Sequence, residues 1–279
     1  MFRNHPAHKP PLGTSLNWGH PLTRGMVGCW HFRHGRAGLA NLARTEWNGS
    51  VVGSPTFDAY DGGAWKFTET DYIDVGDQIA ASPYNFTGSF SALTSFFWPT
   101  GIPVGSTIHT AHPMSRINFE TAGWNFQTNG FDAPVGGLYR MMFEWISGPP
   151  STVNSPEKYC IAAGIVNHFL VSADLPAALV TFWANGREYG TAAFSAPLST
   201  TNSMYFGRWR SGTGRQMIDP LTRNVLWDRA VTSAEARMVT SPGTAYAYMQ
   251  PQTLWVAAGA PPPPPPSGAP KQLLTLGMG

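Results

Sequence analysis

Side chains able to do chemistry are sparse in this sequence, and their spacing is informative mainly for what it denies. Asp71, Asp74 and Asp77, in TDYIDVGD, carry the hard oxygen donors that calcium takes. Along an extended strand, however, side chains alternate in direction, so Asp74 points away from Asp71 and Asp77. The three are therefore read as solvated strand-end acids; no cofactor is expected, with calcium as the one metal the residue types leave open. His31 with His34, and His109 with His112, are spaced three apart, useful for a metal on a helix; their surroundings read as strand and loop, and all four are taken as ordinary polar histidines. Cys29 and Cys160 are the only cysteines and lack a CxxC spacing, so two buried thiols are expected, a disulfide between them being the alternative. No Ser/His/Asp arrangement and no glycine-rich phosphate loop stands out.

The elements that must position any site are β-strands. Gly (30 residues) and Pro (25) are abundant, Trp (11) is frequent, and charged residues are only 12% of the chain, against about 25% in ordinary soluble domains. MVGCWHF, AWKFTETDYIDVG, GSFSALTSFFWP, GWNFQTNG, LYRMMFEWI, YCIAAGIV, ALVTFWANG and SMYFGRW are short β-prone runs separated by Gly, Pro, Asn and Ser. That number of runs predicts an antiparallel sandwich or barrel. Asn185-Gly186, within VTFWANGREYGTAAF, supplies the two positive-φ positions of a type I′ turn, and the hairpin it closes is expected in the middle of a sheet. Of its aromatic residues, alternation buries one of each neighbouring pair, leaving Trp183 and Tyr189 as candidates for stacking on a ligand. One short helix is predicted late, with Thr232 as N-cap, Glu235 completing a capping box, Val231 and Ala236 forming a staple, and an end near Ser241-Pro242-Gly243.

The ends differ from the middle. Residues 1–24 contain four prolines and little periodicity, predicting an extended arm. The body is placed at 25–248. From 249 to 279 the chain reads as a tail, in which Pro261 to Pro266 form a polyproline rod ahead of an apolar tip at Leu273, Leu274 and Leu276. The leader MFRNHPAHKPPLGTSLNWGHP is too polar and Pro-broken to read as a secretory signal, and no window has the 18 or more apolar residues of a membrane-spanning helix. A soluble protein that binds neither membrane nor nucleic acid is expected, since 18 basic and 16 acidic residues are spread without a concentrated basic footprint.

LTRGMVGCWHF, NGSVVGSPTF, AWKFTETDYIDVGD, FTGSFSALTSFFWP, VTFWANGREYGTAAFSAPLSTTNSMYFGRW and NVLWDRAVTSAEARMV occur in the order seen in laminin-G-like, concanavalin-A-like jelly-roll domains, which the chain resembles from about Gly25 to Tyr248. The resemblance implies an all-β, two-sheet antiparallel jelly-roll sandwich, least secure in its sheet order from Gly101 to Asn154. The glucanase branch of that fold carries an E-x-D-x-x-E strand. Neither Glu120 nor Glu144 has a carboxylate two residues on, so an enzyme is not expected. The leader PPLGTSLNWGHPLTRG and the Pro-rich tail further resemble those of proteins on tailed-bacteriophage virions. That implies a decoration or minor capsid protein in the virion, a homo-oligomer contacting the major capsid protein or neighbouring copies through arm residues such as Leu12, Leu16, Trp18, Leu273 and Leu274. The alternative expectation is a glycan-binding module of a tail or fibre, with Trp183 and Tyr189 on the sugar.

Overall fold

The computed structural model describes residues 14–32, 39–58, 63–68, 70–77, 79, 81–101, 112–118, 121–129, 133–148, 152–209 and 217–251. In chain order the strands are β1 Thr14–Leu16, β2 Met26–His31, β3 Ser50–Val52, β4 Thr56–Asp58, β5 Ala64–Lys66, β6 Tyr72–Asp74, β7 Phe90–Trp98, β8 Met114–Asn118 and β9 Ala122–Asn129. They continue as β10 Leu138–Ser147, β11 Thr152–Asn154, β12 Glu157–Ala162, β13 Ile165–Asp174, β14 Leu179–Ala184, β15 Arg187–Ala193, β16 Tyr205–Phe206, β17 Leu221–Trp227 and β18 Met249–Pro251. The one α-helix among the described residues, α1, spans Ser233–Thr240.

Two eight-stranded antiparallel sheets form the expected sandwich. One runs β15-β14-β13-β7-β17-β5-β4, with β2 also on β17; the other, the front sheet, runs β11-β10-β9-β8-β16-β6-β3, with β12 also on β10. Alternation puts Phe90, Phe96, Phe169 and Phe182 of the first sheet against Trp124, Phe126, Phe143 and Trp145 of the front sheet. These rings meet edge-on or tilted, as Phe126 does on Phe169 at 5.5 Å and 86°. Each buried large side chain contributes about 1.5–3 kcal/mol by leaving water, enough to make this layer the main source of cohesion.

The opposite face of the first sheet is also buried. Leu93, Leu170, Trp183, Val225 and Trp227 pack beneath Ala236 and Val239 of α1 and beneath Tyr246 and Tyr248. The helix begins as its sequence requires: Thr232 Oγ1 accepts from the Glu235 amide (3.3 Å), and Glu235 Oε2 accepts from the Thr232 amide (2.8 Å).

Several expectations need correction. The Asn185-Gly186 turn is formed, with φ of 50° and 82°, but β15 is the terminal strand of its sheet, so the hairpin lies at an edge. Arg187, Glu188 and a register shift after Phe182 suit that strand to water rather than to another neighbour. Residues 14–24, expected to extend as an arm, are packed on the body: β1 pairs with β18, and Leu16 and Leu22 join the cluster under α1. Their apolar side chains have a ready site there, and the Asn17 amide donates to the Tyr248 carbonyl at 2.8 Å. The polyproline rod, Leu12, Leu273, Leu274 and Leu276 lie outside the described residues. Cys29 and Cys160 are both buried, in different clusters on opposite faces of the first sheet, and are not bonded to each other. Among the described residues no helix is long and apolar enough to cross a membrane.

Beneath α1 lies a buried polar network. Arg223 donates to Ser95 Oγ (3.3 Å), the Val239 carbonyl (3.1 Å) and the Tyr248 hydroxyl (3.0 Å), and its Nη2 lies 3.4 Å from His168 Nδ1. Burial, and secondarily the Arg223 charge, hold the His168 pKa well below the ordinary histidine value. His31 and Tyr248 complete the surroundings, and burial raises the Tyr248 pKa so that its hydroxyl stays neutral. The native state thus binds one proton fewer than the unfolded chain at acid pH. The His168 contribution should be flat above about pH 6.5, the unfolded histidine value, and fall below it by up to about 1.4 kcal/mol per pH unit until the folded-state pKa is reached. Thermal unfolding scanned across pH 4–8 reads this slope, and His168→Gln should remove it.

Candidate functional site

The outer face of the front sheet carries no helix among the described residues. Because Trp124, Phe126, Phe143, Trp145 and Phe206 turn inward, their strand neighbours turn outward. Strand pairing then lines up Glu144, Asn125, Ser115, Tyr205, Asp74 and Ser50 in one row across six strands. Every member of the row is polar or carries a hydroxyl; Asn125, Ser115 and Tyr205 are buried, while Glu144 and Asp74 are half-buried and Ser50 is exposed.

Hydrogen bonds fix the row in place. Asn125 Nδ2 donates to Glu144 Oε2 at 3.0 Å, which leaves Asn125 Oδ1 to accept from His112 Nδ1, also at 3.0 Å. The Asn125 geometry thereby sets the His112 tautomer, with its proton on Nδ1. The His112 ring stacks on Trp209 at 5.6 Å and 15°. Ser115 Oγ donates to the Arg208 carbonyl at 2.7 Å, seating the segment that carries Trp209. Further along, the Arg208 guanidinium lies 4.1 Å from the Tyr72 ring centroid and 5.6 Å from that of Tyr205. Burial, reinforced by Asp74, raises the Tyr205 pKa, so its phenol remains protonated at neutral pH. Asp74 accepts from the Gly76 amide at 2.7 Å and from Ser203 Oγ.

A buried ion pair supports this end of the row. Arg116 and Asp77 bond with both side chains wholly excluded from water. Asp77 also accepts from the Met204 amide (2.7 Å) and Ser82 Oγ (2.5 Å), while Arg116 reaches Asn85 Oδ1 (3.1 Å) and the Thr200 carbonyl (3.1 Å). Two loops, 75–85 and 200–204, are so tied to β8, and they position Asp74 and Tyr205.

Of the three acids read as solvated, Asp74 is half-exposed at the end of β6, but Asp71 and Asp77 are buried. Asp77 is in the ion pair, and Asp71 is buried, accepting from the Ser54 and Thr68 amides at 2.8 and 2.9 Å. They organise backbone that would otherwise have unsatisfied amides. Among the described residues no three His, Cys, Asp or Glu side chains cluster in a way that would hold a metal. Glu144 and Asp74 stand four strands apart, about 19 Å at ~4.8 Å per strand, far beyond the spacing of a glycosidase carboxylate pair. Glu157 on β12 is engaged with Arg140 at 2.5 Å.

The residues singled out from sequence fall elsewhere. Trp183 is 2% exposed, on the inward side of α1, and offers no stacking surface. Tyr189 is half-buried on edge strand β15. Leu16 is committed to the body, whereas Trp18 is 60% exposed in the turn after β1. His31 stacks edge-on against Tyr246 at 5.5 Å, and His34 and His109 lie outside the described residues. Sequence reasoning missed His112, Asn125, Glu144, Tyr205, Arg208 and Trp209 as a set. Alternation in GWNFQTNG and LYRMMFEWI marks Asn125 and Glu144 as outward, but the pairing that joins them is a matter of register.

No protein-family model matches the chain, and neither does the sequence of any curated protein. Solved structures do. The binding domain of Paraclostridial Mosquitocidal Protein 1 superposes with a TM-score of 0.59 and 11% identity over 78% of this chain and 52% of that one. The receptor-binding domain of botulinum neurotoxin type G gives 0.55 and 13% over 76% and 50%, so the chain spans about half the length of these toxin domains. Domain 4 of AbnA, an extracellular arabinanase from Geobacillus stearothermophilus, in complex with arabinotriose, gives 0.53 and 13% over 77% of this chain and 98% of that domain. At such identities the likeness is one of fold, and the fold shared is the β-sandwich of binding domains.

Proposed function

We propose that the protein is a non-catalytic carbohydrate-recognition module that binds sugar on the outer face of its front sheet. The observation carrying this reading is the polar row from Glu144 to Asp74, which includes Tyr205 and is flanked by Trp209 and Tyr72. A sugar offers hydroxyl edges and flatter C–H faces; the water-reaching members of the row, Glu144, Asp74 and Ser50, supply polar groups for the first, held in place by buried Asn125, Ser115 and Tyr205, and partly exposed Trp209 and Tyr72 supply rings for the second. Neighbours in the fold whose names state receptor binding or an arabinotriose complex support the same class of function. A role in a bacteriophage virion rests on the terminal segments, whose outermost residues lie outside the described ones, and no feature of the outer face favours it.

A glycan array that includes arabinotriose tests the proposal. Binding should weaken about tenfold or more in Trp209→Ala, and in Glu144→Gln, which keeps the acceptor for Asn125 but loses the charge. The Glu144→Gln thermal midpoint should stay within a few degrees of wild type. A silent array sinks the proposal.

A further inference from the structure

A second feature lies on the open side of the sandwich, where β12 approaches β14 and β15. Lys158 of the front sheet sends its ammonium across the gap to within 5.5 Å of the Phe182 ring centroid. From the facing sheet, the Arg187 guanidinium lies 5.3 Å from the ring centroid of Tyr189, which is half-buried against the core. Gly190, opposite Phe182 in the ladder and at φ +102°, keeps the space beside the ammonium clear: a Cβ there would sit 3.7 Å from Lys158 Nζ.

Both cations are uncompensated among the described residues. Arg44, Arg116, Arg140 and Arg229 each have a carboxylate within 4.0 Å, whereas Lys158 and Arg187 have none. Their sequence neighbours do not serve: Glu157 turns to Arg140, and Glu188 sits opposite Trp183, on the far side of the strand from Tyr189. An ammonium and a guanidinium drawn from different sheets, each against an aromatic ring, with an empty glycine position beside the ammonium, suit an anion borne on a ring. They do not suit a densely charged polymer backbone, because Glu157 and Glu188 flank them.

We propose that Lys158 and Arg187 hold the anionic group of an acidic saccharide, with Tyr189 against the sugar ring. This site is separate from the outer face and stands or falls without it. Titration calorimetry at low salt with trigalacturonate, with galactose 6-sulfate and with neutral arabinotriose provides the test. The acidic ligands distinguish a carboxylate from a sulfate, and binding of either supports the proposal. Lys158→Met and Arg187→Gln should each weaken that binding about ten- to hundredfold, while the charge-matched Lys66→Gln, on an exposed position of β5, should not. A wild type that binds neither acidic ligand overturns the proposal, as does binding that Lys158→Met and Arg187→Gln leave intact. Arabinotriose reports on the outer face alone.

Discussion

Replacing Asp77 with Ala should destabilise the protein by about 3–5 kcal/mol, because it strands a guanidinium in a site without water. Arg116 and Asp77 are both fully buried. Burial lowers the Arg116 pKa, and the Asp77 charge, followed by Tyr84, opposes that shift. The loss is compounded by two orphaned donors, the Met204 amide and Ser82 Oγ. Arg116→Met alone should cost less than Asp77→Ala, since the carboxylate keeps those two donors. The double variant Asp77→Leu with Arg116→Met should recover part of the loss, because no isolated charge remains buried. Urea denaturation of the three variants gives the comparison. A second consequence is functional: Asp77 anchors the loops on either side of Asp74 and Tyr205, so Asp77→Ala should weaken sugar binding on the outer face as well. An Asp77→Ala protein within 1 kcal/mol of wild type would falsify this account of the ion pair.

The same ion pair shows what local pattern can and cannot reveal. Runs such as GWNFQTNG and LYRMMFEWI announce strands and sort their residues into inward and outward sets, because alternation is a property of the backbone. The capping box at Thr232 and the Asn185-Gly186 turn are equally local, and both are formed. Where the expectation failed, the deciding contact was distant. LTRNVLW was not among the β-prone runs, since Thr222, Arg223 and Asn224 lower its apolar character; yet β17 is central, and those polar groups bond to Ser95 on β7, to Val239 in α1 and Tyr248 after it, and to the Pro113 carbonyl. Asp77 reads as a surface acid until its partner 39 positions away is brought to it. Trp183 and Tyr189 illustrate the remaining ambiguity. Period two separates them from their neighbours but does not say which face a helix will cover, and α1 covers the face of Trp183. The candidate row on the outer face depends on the register of six strands, information that resides in pairing across the sheet.

Truncating Trp227 to Ala should cost about 3–5 kcal/mol and, unlike the Asp77 change, should release a particular segment. Trp227 is fully buried beneath α1, and its Nε1 donates to the Leu22 carbonyl at 2.6 Å. That bond and the surrounding contacts with Leu16, Leu22 and Met26 hold the N-terminal leader to the first sheet. Further ties are the short β1–β18 ladder, the bond from the Asn17 amide to the Tyr248 carbonyl, and the Arg229 bonds to the Arg24 and Pro21 carbonyls (2.8 and 3.3 Å), the last two exposed to water. With the indole gone, the leader should open more often than the sheets do, and trypsin should cut after exposed Arg24 faster than the global stability loss explains. Trp227→Phe separates the two contributions: it keeps most of the apolar contact but leaves the Leu22 carbonyl unsatisfied, at about 1–3 kcal/mol. Digestion followed by mass spectrometry, alongside urea unfolding, measures both. Equal protection of Arg24 in wild type and Trp227→Ala would mean that the leader is held by something other than this tryptophan. If instead the leader is released, Leu16 is an internal packing residue, and any partner contact made by the N-terminal leader falls to residues before Thr14 or to Trp18.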